Sequence, residues 1–266
     1  MNYIPKVINY CWFGNQKKDN LLRECFNSWK VNCKGYRIIE WNESNCNLNA
    51  NKFIKDAVAQ KKWAFISDYY RLVALSKEGG IYLDTDVEVL KSLDDLLSKH
   101  LFLGFTYESL IGTAVIGSEK NNSIIKKLIS IYDNAYWIDN FRHFKVKEYP
   151  NYIFTDNNDL LTYFFKKNFP KFSLNGKHQI FNEFEIFSKD EFEIGKIFRG
   201  SYTVHKCNAS WTSHRYSLKT VINKRIKYVG SKCPFIDFES LIRHISYIKR
   251  RKDSPFYNVY LKDKKR

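Results

Sequence analysis

Residues 78–88, read as Glu-Gly-Gly-Ile-Tyr-Leu-Asp-Thr-Asp-Val-Glu, constrain this chain more than any other stretch. The pair Gly79-Gly80 predicts a helix stop, because glycine is the residue that most readily leaves the right-handed helical region. Ile81, Tyr82 and Leu83 then predict a short buried strand. That strand runs into two carboxylates, Asp84 and Asp86, with one residue between them. Acids at the end of an apolar strand emerge where a sheet meets solvent, and open α/β sheets hold ligands at that edge. Two such acids can share one hard divalent cation, whose remaining positions are typically filled by waters and substrate phosphates. The residues alone therefore predict a metal–diphosphate site in an α/β fold.

The chain around this stretch predicts alternating strands and helices. Residues 6–14 are β-formers ending in Gly14, a first strand with its exit turn. Asp19 and Asn20 cap a helix reaching Asn32, with Leu21, Leu22, Cys25, Phe26 and Trp29 along one stripe. Residues 36–41 predict a second strand, which completes a β-α-β unit and opens a parallel sheet. Residues 42–51, rich in Asn, Glu and Ser, predict a loop. A helix over residues 52–61 leads into another over 64–77, apolar nearly all round and hence buried. Within it Asp68 and Arg71 lie three apart, on one face. Charges on a buried helix either pair with each other or meet a charged ligand.

Beyond the acidic pair, strands are expected at 87–90, 101–105 and 110–117, with a short helix at 93–97. Glycines in the last of these strands predict close approach of a ligand. An amphipathic helix follows at 121–134. Residues 135–150 read as aromatic and irregular. Asp156 caps a helix to Lys167, short strands fall near 179–187 and 202–205, and residues 237–252 predict a basic amphipathic helix. No internal repeat is visible.

Composition narrows the function classes. With 266 residues, 44% hydrophobic and 17% aromatic, the chain has ample material for a globular core. No apolar run approaches the roughly 18 residues of a membrane span. The first residues lack a positively charged segment followed by an apolar one, so a cytoplasmic protein is expected. The six cysteines, Cys11, Cys25, Cys33, Cys46, Cys207 and Cys233, are irregularly spaced, which predicts reduced thiols rather than a zinc site or disulfide framework. The net charge of +16 is uneven: residues 199–266 hold 17 Lys and Arg against 4 Asp and Glu, whereas residues 1–198 hold 27 against 24. Such a basic segment fits a nucleic acid, an anionic membrane surface or an anionic substrate.

Three readings of Asp84-Thr85-Asp86 compete. Leu83-Asp84-Thr85-Asp86-Val87 looks like the strand-end motif of haloacid-dehalogenase phosphohydrolases, with Asp84 as nucleophile. That chemistry also needs a downstream lysine and a late acidic pair, and Asp94-Asp95 comes too early. A non-enzymatic nucleic-acid binder explains the basic end but not the acids, and no nucleic-acid module signature is present. The third reading joins four motifs: Trp12-Phe13-Gly14; Ala64-x-x-Ser67-Asp68-x-x-Arg71; Gly79-Gly80-x-Tyr82-x-Asp84-x-Asp86; and His205 followed by Ser210-Trp211. In this order they resemble glycosyltransferase family 32, whose sugar-binding region contains a DXD motif. The resemblance is strongest over residues 4–118 and looser over 200–212. Residues 119–199 match no motif of the family, and acceptor choice is expected there.

The resemblance implies a GT-A-type nucleotide-diphospho-sugar transferase fold, a mixed and mostly parallel central sheet flanked by helices. It implies a catalytic domain over residues 1–215 and a basic helical extension over 216–266. It implies Mn²⁺ or Mg²⁺, a UDP-sugar donor, and hexosyl transfer with retention to an oligosaccharide or lipid-linked glycan. By motif, Asp86 ligates the metal directly, and Asp84 reaches it through water or holds the ribose. Asp68 and Arg71 grip the donor sugar and leaving phosphate, where a guanidinium fork suits the geometry. Phe13, Tyr82 and Thr85 join the nucleotide-sugar site. Trp12 stacks on uracil or is a core tryptophan. His205 or Asn208 completes the metal shell, and Ser210 and Trp211 close over the diphosphate. A single histidine followed by Asn-Ala-Ser-Trp departs from the eukaryotic members and leaves the third ligand open. No carboxylate stands out as a nucleophile, so same-face attack is expected. The Asn-, Lys- and Ile-rich composition fits an A+T-rich bacterial genome and hence capsule or lipopolysaccharide synthesis. The basic end is then expected at the inner face of the cytoplasmic membrane, against anionic lipid.

Overall fold

The computed structural model describes residues 3–15, 17–194, 201–207, 247 and 250–265. Strand β1 (Val7–Cys11) is buried at every position, as a strand covered on both faces must be. Helix α1 (Asn20–Asn32) follows, its first turn capped by Asp19, which accepts from the Leu22 amide. Strand β2 (Arg37–Trp41) then returns parallel to β1, so the predicted β-α-β unit forms. Helices α2 (Lys52–Ala59) and α3 (Trp63–Glu78) lead to β3 (Gly80–Leu83), parallel to β1 on its other side.

The turn from α3 into β3 is where glycine is required. Gly79 and Gly80 have φ of 66° and 98°, and a Cβ on Gly80 would lie 2.4 Å from the Val7 carbonyl oxygen of β1. A side chain there is excluded both by backbone conformation and by space. The buried Asn9 of β1 fixes the same corner: its amide donates to the Gly79 carbonyl (2.9 Å) and accepts from Trp41 Nε1 (3.0 Å). One side chain thus ties β1, β2 and the end of α3 together.

Strand β4 (Val87–Val89) leaves the acidic turn, and Trp29 Nε1 of α1 donates to the Val87 carbonyl (2.7 Å). Strands β5 (Leu101–Tyr107) and β6 (Leu110–Ser118) form an antiparallel pair, and β6 inserts antiparallel beside β3. Helix α4 (Ser123–Asp133), strands β7 (Ala135–Ile138) and β8 (His143–Val146), and helix α5 (Asn157–Asn168) follow. Strands β9 (Gln179–Ile180) and β10 (Glu185–Phe187) complete a seven-stranded mixed sheet, ordered β2-β1-β3-β6-β5-β10-β9. Helix α6 (Lys189–Phe192) precedes β11 (Thr203–His205), which pairs antiparallel with β4. Helix α7 (Tyr257–Asp263) packs back on the domain: Lys166 meets Asp263 at 2.8 Å and Phe256 stacks near Tyr152.

Three expectations are corrected. Residues 135–150 are not irregular but contain the β7–β8 hairpin, turned by Asp139, Asn140 and Phe141 at φ of 51°, 53° and 62°. Trp137 lies flat on Phe53 of α2, centroids 4.4 Å apart. The helix at 93–97 shrinks to one 3₁₀ turn, Asp94–Leu96. The glycines of β6 admit protein groups rather than a ligand: a Cβ on Gly117 would meet the Phe102 ring at 1.9 Å, and one on Gly112 would meet Glu193 Oε1 at 2.8 Å. Cys11, Cys25, Cys33, Cys46 and Cys207 are free thiols, and Cys233 lies outside the described residues. Most of the helix predicted over 237–252 also lies outside them. Among the described residues no helix is long and apolar enough to cross a membrane.

Candidate active site

The acidic turn is built by its own backbone. The Asp84 amide donates to the Ala114 carbonyl of β6 (2.8 Å), and the Val87 amide closes a turn on the Asp84 carbonyl (3.0 Å). Asp84, Thr85 and Asp86 are half-buried at the end of β3, the edge where α/β sheets hold ligands.

Helix α3 delivers Asp68 and Arg71 to this edge. Arg71 Nη2 donates to Asp68 Oδ1 at 2.7 Å, and Nη1 donates to the Thr113 carbonyl (2.6 Å) and hydroxyl (3.1 Å). Nη1 also lies 3.4 Å from Asp84 Oδ1. Of the alternatives posed by the sequence the mutual pair forms, and Arg71 also faces the acidic turn. The Arg71 guanidinium rests over the Tyr82 ring, 4.7 Å from its centroid, and the Tyr82 hydroxyl donates to Asp84 Oδ1 at 2.9 Å. Burial works against the Arg71 charge, but Asp84, Tyr82 and Asp68 outweigh it and raise its pKa. Burial pushes the Asp68 carboxyl up to about 7; Arg71 opposes this, and Asp156 and Asp84 add to it.

The third wall comes from the β4–β11 ribbon, in which His205 pairs with Val87. His205 Nε2 lies 3.3 Å from Asp86 Oδ1, and Nδ1 lies 2.9 Å from Glu193 Oε2. Burial disfavours the imidazolium, yet Glu193, Cys207 and Asp86 around it hold the pKa of His205 well above its ordinary value. Ligand atoms of Asp84, Asp86 and His205 all fall within 4.8 Å of one another, as do those of Glu193, His205 and Cys207. Two carboxylates and one imidazole fit a divalent cation with positions left for water and phosphate oxygens.

The other expected site residues divide. Trp12 is half-buried just past β1, with its amide donating to the Trp41 carbonyl (2.9 Å). Phe13 is buried, its ring 5.6 Å from that of Tyr70, and Tyr82 is buried too, acting through Arg71 and Asp84. Asn208, Ser210 and Trp211 lie outside the described residues. Three residues escaped the sequence reading. Thr113 accepts from Arg71 and donates to Asn158 Oδ1 (2.7 Å), which brings the start of α5 to the site. Glu193 holds His205. Only Asn158 carried any signal, as part of the Asp156-Asn-Asn-Asp159 cap.

Residues 19–103 match a family model described as a glycosyltransferase sugar-binding region containing a DXD motif. No curated protein matches significantly. Among solved structures, the PaToxG glycosyltransferase aligns at 19% identity and a TM-score of 0.39, over 48% of this chain and 59% of that one. A glycosyltransferase involved in glycosylating the major capsid of PBCV-1 aligns at 15% identity and 0.40, over 77% and 95%. The glycosyltransferase GlyE of Streptococcus pneumoniae TIGR4 aligns at 14% identity and 0.37, over 60% and 43%. The matched region, residues 19–103, holds Asp68, Arg71, Asp84 and Asp86 within the mixed, helix-flanked sheet, and this part of the chain is similar to a glycosyltransferase sugar-binding region containing a DXD motif.

Proposed function

We propose that the chain transfers a hexose from a UDP-sugar to a hydroxyl of an oligosaccharide or lipid-linked glycan, using a divalent cation and retaining the anomeric configuration. One observation carries the reading: ligand atoms of Asp84, Asp86 and His205 converge within 4.8 Å, beside the anchored Asp68–Arg71 pair. A nucleoside diphosphate leaves readily once its charge is neutralised, and the cation supplies that neutralisation when bound. Asp86 and His205 bind it directly. Asp84, oriented by the Tyr82 hydroxyl and drawn toward Arg71, completes the cradle. Asp68 accepts donor-sugar hydroxyls at the buried end, while Arg71 sets the positive potential near the leaving phosphate. Trp12, at the exit of β1, stacks on the base.

In this reading the acceptor attacks on the face the diphosphate leaves, and the departing phosphate oxygen takes its proton. The decisive assay incubates the protein with a panel of UDP- and GDP-sugars and Mn²⁺ and follows release of the nucleotide. One UDP-hexose is expected to be hydrolysed, with the α-configured sugar appearing first by NMR. First release of the β-anomer from an α-linked donor contradicts retention. No turnover of any nucleotide sugar, with cleavage of simple phosphate monoesters instead, returns the site to the phosphohydrolase reading.

The basic C-terminal segment extends the proposal to the inner face of a bacterial membrane and to capsule or surface polysaccharide. Each Lys or Arg near an anionic surface contributes about 1 kcal/mol. Replacing Lys249, Arg250 and Lys252 by Glu is expected to release the protein from anionic liposomes in a flotation assay. Unchanged flotation removes the membrane from the account.

A further inference from the structure

We propose that Glu193 is a positioning residue, which fixes the imidazole of His205 so that Nε2 is presented to the cation. The inference rests on the reading of Asp84, Asp86 and His205 as a cation site. Two contacts join the residues: His205 Nδ1 lies 2.9 Å from Glu193 Oε2, and the His205 amide donates to the Glu193 carbonyl at 2.9 Å. A carboxylate only accepts hydrogen bonds, so Glu193 keeps a proton on Nδ1, and the proton that faces Asp86 from Nε2 at 3.3 Å is the one a bound cation would displace. Histidines that ligate metals commonly have the other ring nitrogen held in this way, which fixes the tautomer and the ring plane.

The surroundings of Glu193 are built to hold it still. Its residue is only 7% exposed. The Thr203 hydroxyl donates to the Phe192 carbonyl (2.7 Å) and the Tyr202 amide to the Glu191 carbonyl (3.0 Å), so β11 is fastened along residues 191–193. An independent feature lies across the carboxylate. Glu193 Oε1 occupies the space where a side chain on Gly112 of β6 would begin, 2.8 Å from the ideal Cβ position. The central sheet is cut back at the point where this carboxylate sits. Glu193 thereby couples the sheet, through His205, to the acidic turn.

The test measures Mn²⁺ affinity by electron paramagnetic resonance for the parent, Glu193→Ala, Glu193→Gln and His205→Ala, with thermal melts as fold controls. Loss of an outer partner of a ligating histidine typically weakens metal binding about 10- to 100-fold. Glu193→Ala is expected at the lower end of that range. Glu193→Gln, whose amide oxygen still accepts from Nδ1, is expected to lose less. In ¹⁵N spectra of the histidines recorded at a pH high enough to leave His205 neutral, Glu193→Ala is expected to shift His205 toward a mixture of tautomers, a change that weakened packing alone does not produce. Unchanged Mn²⁺ affinity in a folded Glu193→Ala protein, with His205→Ala strongly impaired, overturns the role of Glu193 and leaves the cation site standing. Unchanged affinity in His205→Ala overturns the cation reading itself. If Glu193→Ala does not fold, Glu193→Gln decides: parental affinity together with a mixed His205 tautomer population overturns the proposal.

Discussion

Two ion pairs flank the turn after β3, and they are built for opposite purposes. Asp68 and Arg71 have side chains 12% and 6% exposed, and Arg71 has further partners in Thr113 and Asp84. Asp86 and His205 are each 20% exposed and meet at 3.3 Å. The first is a closed network, in which every change leaves a buried charge unanswered. The second is partly open to solvent, and with Asp84 its ligand atoms lie within 4.8 Å of one another. The proposed transfer would use both: one rigid pair to set the potential and one pair that can part.

Breaking the closed pair is expected to have the largest effect on the fold. Arg71→Ala leaves Asp68 buried without its guanidinium, and removing one partner of a buried pair costs about 3–5 kcal/mol. Urea denaturation is expected to show a loss of that size together with loss of turnover; a loss below about 1 kcal/mol would place Arg71 outside the closed network.

The Asp68 carboxyl sharpens the contrast through pH. Its pKa rises from 3.8 in the ordinary range to about 7 in the fold, chiefly from burial. Between those values the folded chain keeps a proton that the unfolded chain has released, so this group's contribution to stability falls as pH rises from about 4 to 7. Asp68→Asn removes that dependence. Melting temperature of the variant relative to the parent is therefore expected to improve between pH 5 and pH 8. A difference that is flat with pH, or that worsens, contradicts the raised value. Under the proposed role of Asp68 in holding the donor sugar, donor affinity of the parent is expected to weaken below pH 7, as its carboxylate takes up a proton.

Tyr82→Phe keeps the ring beneath Arg71 and deletes the hydroxyl that donates to Asp84. A net hydrogen bond is worth about 1 kcal/mol, somewhat more when its partner is charged, so a loss near that value is expected by urea denaturation, with a few-fold weaker Mn²⁺ affinity. An affinity equal to the parent's would remove Asp84 from the cation's surroundings. A smaller stability effect than at Arg71 is expected at the Asp86–His205 pair, because His205→Ala leaves Asp86 in contact with solvent and only Glu193 buried without its partner, while most Mn²⁺ binding is abolished. A stability loss rivalling that of Arg71→Ala would show that the two pairs do not differ in kind.

Much of the closed half was legible in the sequence because it is local. Gly79-Gly80 must stop α3, Ile81 to Leu83 must be a strand, and a three-residue spacing puts Asp68 and Arg71 on one helix face. The open half depends on distant partners. The sequence marked His205 as a candidate ligand, but only the β4–β11 pairing places it beside Asp86. Glu193 carries no motif, and its role arises because residues 191–193 run along β11. The β7–β8 hairpin escaped because its alternation spans four residues a side, and its turn uses Asp139, Asn140 and Phe141 at positive φ instead of glycine. The β6 glycines were visible, but whether a ligand, a phenylalanine or a glutamate fills the space beside them is decided by elements far away in the chain.

The most direct test of the cation site is hydrolysis of the preferred nucleotide sugar by the parent and by Asp86→Ala, each with Mn²⁺ and with EDTA. Deleting a group that stabilises the leaving charge commonly costs on the order of 10²- to 10³-fold in turnover. The account predicts a Mn²⁺-dependent parent, silenced by EDTA, and an Asp86→Ala protein that folds normally but falls by at least that factor with Mn²⁺ present. Undiminished turnover by Asp86→Ala, or a parent indifferent to EDTA, would contradict it.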